Sequence, residues 1–116
     1  MDYVKLGRTG MNVSRLGLGG GGHSRLGIGD DPDFAPAIVR RALDLGINFI
    51  DTAEGYETEE VIGRGIRGVD RGAIVLSTKK MLPRDRLLPA AELRDGLDKS
   101  LARLGTDYID VYHLHA

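Results

Sequence analysis

Residues 47–56 read Ile47-Asn48-Phe49-Ile50-Asp51-Thr52-Ala53-Glu54-Gly55-Tyr56. A strand-like apolar run, Ile47 to Ile50, ends in a carboxylate, Asp51. A short turn, Thr52 to Gly55, follows, and Tyr56 opens a helical pattern. This reading puts an acid at the tip of a buried strand and a phenol one loop away.

Upstream of that stretch the spacing is helical. Phe34, Ile38, Ala42 and Leu45 form one stripe, Arg40, Arg41 and Asp44 fall mostly off it, and Gly46 ends the helix at C′. Downstream, Glu57 to Arg67 reads as a second helix, with acids in its first turn and arginines in its last, as the macrodipole favours. Gly63 and Gly65 weaken that helix and imply close packing. Gly72 precedes Ala73 to Thr78, a continuous apolar strand that ends in Lys79-Lys80. A polar loop, Met81 to Pro89, leads to a third helix marked by Leu93, Leu97, Leu101 and Leu104 and closed by Gly105. Asp107 to His113 or beyond is a last strand.

At the N-terminus, Tyr3–Leu6 and Met11–Ser14 flank Gly7-Arg8-Thr9-Gly10, the pattern of a hairpin. Leu16 to Gly19 reads as a short buried strand. A glycine-rich segment, Gly19 to Gly29, then runs into Asp30-Asp31-Pro32-Asp33, where Asp31 or Asp33 is placed to cap the next helix and Pro32 suits its first turn. The order is a hairpin, then β-α-β-α-β-α-β. Apolar strands separated by amphipathic helices imply a parallel sheet covered on both faces. A doubly wound sheet and a (β/α)8 barrel both fit that order. A whole barrel needs about 250 residues, so 116 residues are expected to form part of one.

Composition narrows the function. The chain is 41% hydrophobic and 28% charged, with a net charge of −1. That balance leaves no electrostatic footprint for nucleic acid or an anionic membrane. Without cysteine, disulfides and thiolate metal sites are excluded. Met1-Asp2-Tyr3 begins no signal peptide, and no apolar run approaches the roughly 20 residues that span a bilayer. A cytoplasmic protein is the expectation. Two glycine patterns, Gly17-x-Gly19-x-x-Gly22 and Gly63-x-Gly65-x-x-Gly68, match the dinucleotide fingerprint. The first lacks the helix that must open at its third glycine and the second lies inside a helix, so neither reads as a Rossmann site.

In parallel α/β folds the chemistry lies beyond the carboxyl ends of the strands. Asp51 ends the second parallel strand, Lys79 the third, and His113 and His115 the fourth, with Tyr56 just past Asp51. Taken singly, each has a plain structural reading: a turn-capping Asp, a snorkelling Lys, a packed Tyr, an exposed terminal His. Together they make a coherent set. A phenol ordinarily holds its proton to about pH 10, and a neighbouring ammonium favours its ionised form. An aspartate holds the ammonium in place, and a histidine can orient a carbonyl oxygen. None of them carries a hydride, so a nicotinamide cofactor is required.

Tyr3 to Gly20 (YVKLGRTGMNVSRLGLGG), Gly46 to Tyr56 (GINFIDTAEGY), Ile74 to Lys79 (IVLSTK) and Ser100 to His115 (SLARLGTDYIDVYHLH) together resemble the N-terminal half of the aldo-keto reductase family, in its order and spacing. The resemblance implies an α/β fold, the N-terminal half of a (β/α)8 TIM barrel, with an N-terminal hairpin over residues 1–15 closing the barrel bottom, four parallel strands and three helices. Residues 1–116 would then be a single incomplete domain. It implies NADP(H)-dependent reduction of aldehydes or ketones, without a metal. It makes Tyr56 the proton donor, Lys79 the cation beside it, Asp51 the partner of the lysine, and His115 the group that orients the substrate carbonyl. Gly20 and Gly21, with Asp51, would lie at the nicotinamide end of the cofactor. NAD(H) is the alternative cofactor, because the residues that separate the two lie in the other half of the family's barrel. The turn after Tyr56 is about one residue shorter than the family's usual form, which leaves the start of the second helix open.

Two other functions are set against this one. His113-x-His115 puts two imidazoles on one face of a strand, as in a metal-dependent barrel hydrolase. An inactive fragment or half-barrel interaction module is the other alternative. The expected partners are a small carbonyl or alcohol substrate, with no nucleic acid and no membrane, and self-association through open sheet edges.

Overall fold

The computed structural model describes residues 1–29 and 31–116; Asp30, placed by the sequence at the end of the glycine-rich segment, lies outside them. Two antiparallel strands, β1 (Tyr3–Lys5) and β2 (Asn12–Ser14), form the hairpin, with Val4 opposite Val13. The chain then builds β3 (Leu18–Gly19), α1 (Phe34–Asp44), β4 (Phe49–Asp51), α2 (Glu59–Ile66), β5 (Val75–Met81), α3 (Ala90–Leu104) and β6 (Val111–His115). The four later strands form one parallel sheet in the order β3-β4-β5-β6. Hairpin, four parallel strands and three helices are therefore as the sequence implies.

Side chains alternate across a strand, and the register sorts them. Ile50 and Leu76 lie opposite each other on one face, fully buried in a core with Val39 of α1, Ile62 and Ile66 of α2, and Leu104 of α3. This is the helix-covered face. Asp51, Ser77, Lys79, Met81, Val111, His113 and His115 share the other face, because Asp51 is level with Ser77, Ser77 with Val111, Lys79 with His113 and Met81 with His115.

Several boundaries and one helix face differ from the sequence reading. The buried stripe of α1 is Ala35, Val39 and Ala42, while Phe34 and Leu45 stand 52% and 54% exposed. Small residues win here because α1 and α2 approach closely: a Cβ on Gly65 would lie 2.6 Å from the Val39 Cβ. Gly63 is equally tight, 2.7 Å from the Leu104 carbonyl oxygen, so both helix glycines answer to packing. Neither Asp31 nor Asp33 caps α1 with its side chain. The Asp31 carboxylate accepts from the Asp33 N–H instead, and Asp33 pairs with Arg64.

The second helix begins at Glu59, two residues after the position expected, and Tyr56 does not open it. Tyr56 closes a separate short 3-10 turn, Glu54–Tyr56. Glu57 stands at φ 62, in the left-handed region, and interrupts helical propagation. β5 continues through both lysines to Met81, so Lys79 and Lys80 lie inside the strand. β6 starts only at Val111, because Asp110 turns aside: its carboxylate accepts from the Leu76 N–H and from Arg71. β4 is likewise shorter than read, running Phe49–Asp51 after Gly46 at φ 90 ends the preceding helix.

Candidate active site

Asp51, Tyr56, Lys79 and His115 converge at the carboxyl ends of the parallel strands. Parallel pairing sets Asp51 beside Ser77, one step from Lys79 on the same face. The Lys79 ammonium donates to Asp51 Oδ2 at 2.6 Å and to the Thr52 carbonyl at 2.7 Å. Asp51 Oδ1 accepts from the Ser77 hydroxyl at 2.7 Å. The Lys79 side chain is 14% exposed and that of Asp51 39% exposed, so the pair is partly desolvated and its geometry is held by more than the charge.

Two of the three ammonium donors are thus committed on the side of Asp51. The ammonium also stands 4.9 Å from the centroid of the Tyr56 ring, within cation–π range. His115 meets the same ring edge-on, with centroids 5.7 Å apart and planes at 84°. Its Nδ1 is buried and has no hydrogen-bond partner among the described residues. A cation and an imidazole from one sheet face thus both meet the ring of this phenol. Such a set can pass a proton to an oxygen held beside it.

Gly20 and Gly21 reach the same place. The Gly20 N–H donates to the Asp51 carbonyl at 2.7 Å. A Cβ on Gly20 would sit 2.7 Å from Thr58 Oγ1, and one on Gly21 would sit 2.7 Å from Tyr56 Cε2. Both positions thus exclude side chains because of Thr58 and Tyr56. His113 shares the inner face with His115 and is exposed. Among the described residues no group of three or more His, Asp or Glu side chains gathers to hold a metal.

Sequence reasoning passed over the supports of this site. Glu59 was read only as one of the first-turn acids that the helix dipole favours, and it is 1% exposed. Its two oxygens accept from Thr78 at 2.5 Å and Arg103 at 2.6 Å. The signal was present: Glu59, Ile62 and Ile66 share one stripe of α2, and the other two are core residues. Thr58 bonds Thr52 and the Gly20 carbonyl, closing the base of the loop that carries Tyr56. Glu54 bonds both Lys80 and the Met81 N–H. A groove of about 1030 Å3 between α2 and α3 is lined by Gly63, Val69, Ile74 and Leu101. It lies by the start of β5, at the opposite end of the strands from these groups.

Among the described residues no helix is long and apolar enough to cross a membrane. The sequence profile of the Aldo/keto reductase family matches residues 15–116. Aldo-keto reductase YhdN of Bacillus subtilis is 36% identical over 128 residues, which cover 99% of this chain and 38% of that protein. A probable voltage-gated potassium channel subunit beta of rice (Oryza sativa subsp. japonica) is 37% identical over 126 residues, 99% of this chain and 37% of its own length. The solved holo form of an aldo-keto reductase from Bacillus halodurans superposes with a TM-score of 0.82 at 34% identity, covering 99% of this chain and 40% of that one. The chain thus spans about two fifths of the length of the relatives it matches.

Proposed function

This chain belongs to the aldo/keto reductase family, its four parallel strands and three helices forming the N-terminal half of a (β/α)8 barrel, and from that premise we propose that in a complete barrel it reduces aldehydes or ketones to alcohols with NADP(H). The observation that carries the reading is that one phenol ring meets both Lys79, 4.9 Å from its centroid, and His115, with centroids 5.7 Å apart. In this reading Tyr56 delivers the proton to the carbonyl oxygen, and His115 orients that oxygen. Lys79, fixed by Asp51, stabilises the phenolate that remains. A bound nicotinamide supplies the hydride to the carbonyl carbon. The chain's own share of a site for it is the segment at Gly20 and Gly21, whose backbone packs directly against Thr58 and Tyr56, together with Asp51.

The deciding experiment is Tyr56→Phe in the complete barrel. The reduction rate is expected to fall by about 10²- to 10⁴-fold, with NADPH affinity retained. An unchanged rate would remove Tyr56 from the mechanism. Comparing NADPH with NADH in the same assay assigns the cofactor. A polypeptide of residues 1–116 alone is expected not to turn over NADPH, because it provides only the turn at Gly20 and Gly21 and Asp51 toward the cofactor. A binding role is the second reading, favoured by the rice relative named as a channel subunit. A complete barrel that binds NADPH tightly yet reduces no carbonyl would favour it.

A further inference from the structure

Four consecutive side chains of β5 are bonded to acids of the segment that carries Tyr56. Ser77 and Lys79 bond Asp51 on the inner face. Thr78 bonds Glu59 and Lys80 bonds Glu54 on the outer face. The proposed chemistry uses the inner pair and leaves the outer pair unexplained.

We propose that Glu54 is a positioning residue. Held by Lys80 and by the Met81 N–H, it fixes the turn Glu54–Tyr56 against the end of β5. It thereby sets where the Tyr56 ring stands relative to Lys79 and His115. The rate arm of this proposal rests on the reductase reading; its spectroscopic arm does not.

The turn needs an outside tie. It is one short 3-10 turn, closed by the Tyr56 N–H to the Ala53 carbonyl at 3.1 Å, and such turns have poor hydrogen-bond geometry. The next residue, Glu57, is left-handed without being glycine, a strained conformation that persists only where surroundings enforce it. The loop is pinched at its base by Thr52 and Thr58, 2.8 Å apart. At its tip, Glu54 Oε1 accepts from Lys80 Nζ and from the Met81 N–H, both at 2.8 Å. The other tie near Tyr56, Arg25 to Glu57, joins side chains 44% and 72% exposed, and exposed pairs hold little.

The Glu54–Lys80 pair is sheltered instead, at 19% and 18% exposed. α3 makes room for it by having no side chain at Gly96, where a Cβ would stand 2.6 Å from Lys80 Cδ. A charge-assisted bond to a strand amide in that setting is directional as well as strong. It ties the residue two before Tyr56 to the residue two after Lys79.

The test combines kinetics and NMR. In the complete barrel, Glu54→Ala is expected to lower kcat by about 10- to 100-fold while KM for NADPH is unchanged. Glu54→Gln, which keeps an acceptor for the Met81 N–H, is expected to recover part of that loss. In the chain itself, the His115 imidazole protons sense the Tyr56 ring current through the edge contact. Their resonances are expected to move in Glu54→Ala and to stay in Arg25→Ala. If Glu54→Ala fails to fold, Lys80→Met applies the same test from the other partner.

A wild-type His115 spectrum in a folded Glu54→Ala or Lys80→Met variant would overturn the proposal, whatever kcat does. Equal movement in Arg25→Ala would do so as well. If Tyr56→Phe leaves the rate intact while Glu54→Ala still moves the His115 signal, the reductase reading fails and the positioning role stands.

Discussion

Lys79 and Lys80 are adjacent in β5, similarly sheltered, and each is ion-paired within 2.8 Å to an acid from the segment before α2. They differ in the face they occupy. Lys79 lies on the inner face with Asp51 and His115, and its ammonium reaches the Tyr56 ring. Lys80 lies on the outer face under α3, where its ammonium bonds Glu54. The difference teaches that one strand can hold chemistry and its scaffold at successive positions, because alternation sends neighbours to opposite sides of the sheet. The inner face spends its polar groups on a phenol; the outer face spends its polar groups on holding the loop that bears it.

The sharpest way to break that contrast is to neutralise each lysine in turn in the complete barrel. Lys79→Met should lower the reduction rate by about 10³-fold, roughly 4 kcal/mol of barrier. Lys80→Met should cost far less in rate. Equal losses in kcat would show that the two faces are not functionally distinct. The outer face should instead answer in stability. Glu59→Ala strands Thr78 and leaves Arg103 without its carboxylate, and is expected to cost about 3 kcal/mol. Arg103, 39% exposed, can turn to water, which keeps the figure at the low end of the range for buried pairs. The denaturant midpoint, compared at unchanged slope, measures it.

How much of this was legible follows from periodicity. The hairpin, the four parallel strands and the three helices are written in apolar spacing and glycine punctuation, and they stand as read. Asp51, Tyr56, Lys79 and His115 were legible because parallel strands deliver their carboxyl ends to one rim. The strand limits were less so, since Lys79 and Lys80 look like a polar terminus. Their aliphatic stems and acid partners in fact let β5 run on to Met81. Tyr56 was misplaced by local pattern alone. Nothing in Tyr56-Glu57-Thr58 announces that Glu57 takes a left-handed φ, which follows from ties made by Glu54 and Thr58 to distant strands. The stripe of α1 failed for a related reason: hydrophobic size favoured Phe34 and Leu45, whereas close approach to Gly65 favoured Ala35 and Val39.

A smaller probe of the outer face is Gly96→Ala. In an exposed helix interior this change adds up to about 1 kcal/mol of stability. Here the new methyl would meet Lys80 Cδ at 2.6 Å, and Lys80 is not free to yield while it holds Glu54. The change is expected to destabilise by about 1 kcal/mol instead. Pairing it with Lys80→Ala should restore the ordinary gain. A stabilising Gly96→Ala on its own would show that the Lys80 stem is loosely held.

The finest probe is Tyr112, whose hydroxyl is buried on the outer face without a partner among the described residues. Burial pushes the Tyr112 phenol above its ordinary value, Glu54 and Glu59 add to the rise, and Arg103 opposes it. The folded protein therefore keeps this phenol neutral after the unfolded chain has begun to ionise. Its stabilising contribution is complete below the ordinary phenol value of about pH 10 and is lost as pH rises through the raised one. Tyr112→Phe removes the titrating group and an unpaired buried hydroxyl together. It should stabilise the fold by about 1 kcal/mol at neutral pH and flatten the alkaline decline. Denaturation midpoints taken from about pH 8 to 11, spanning that ordinary value, measure both effects. A decline that persists unchanged in Tyr112→Phe would mean that the outer layer loses its hold through another group.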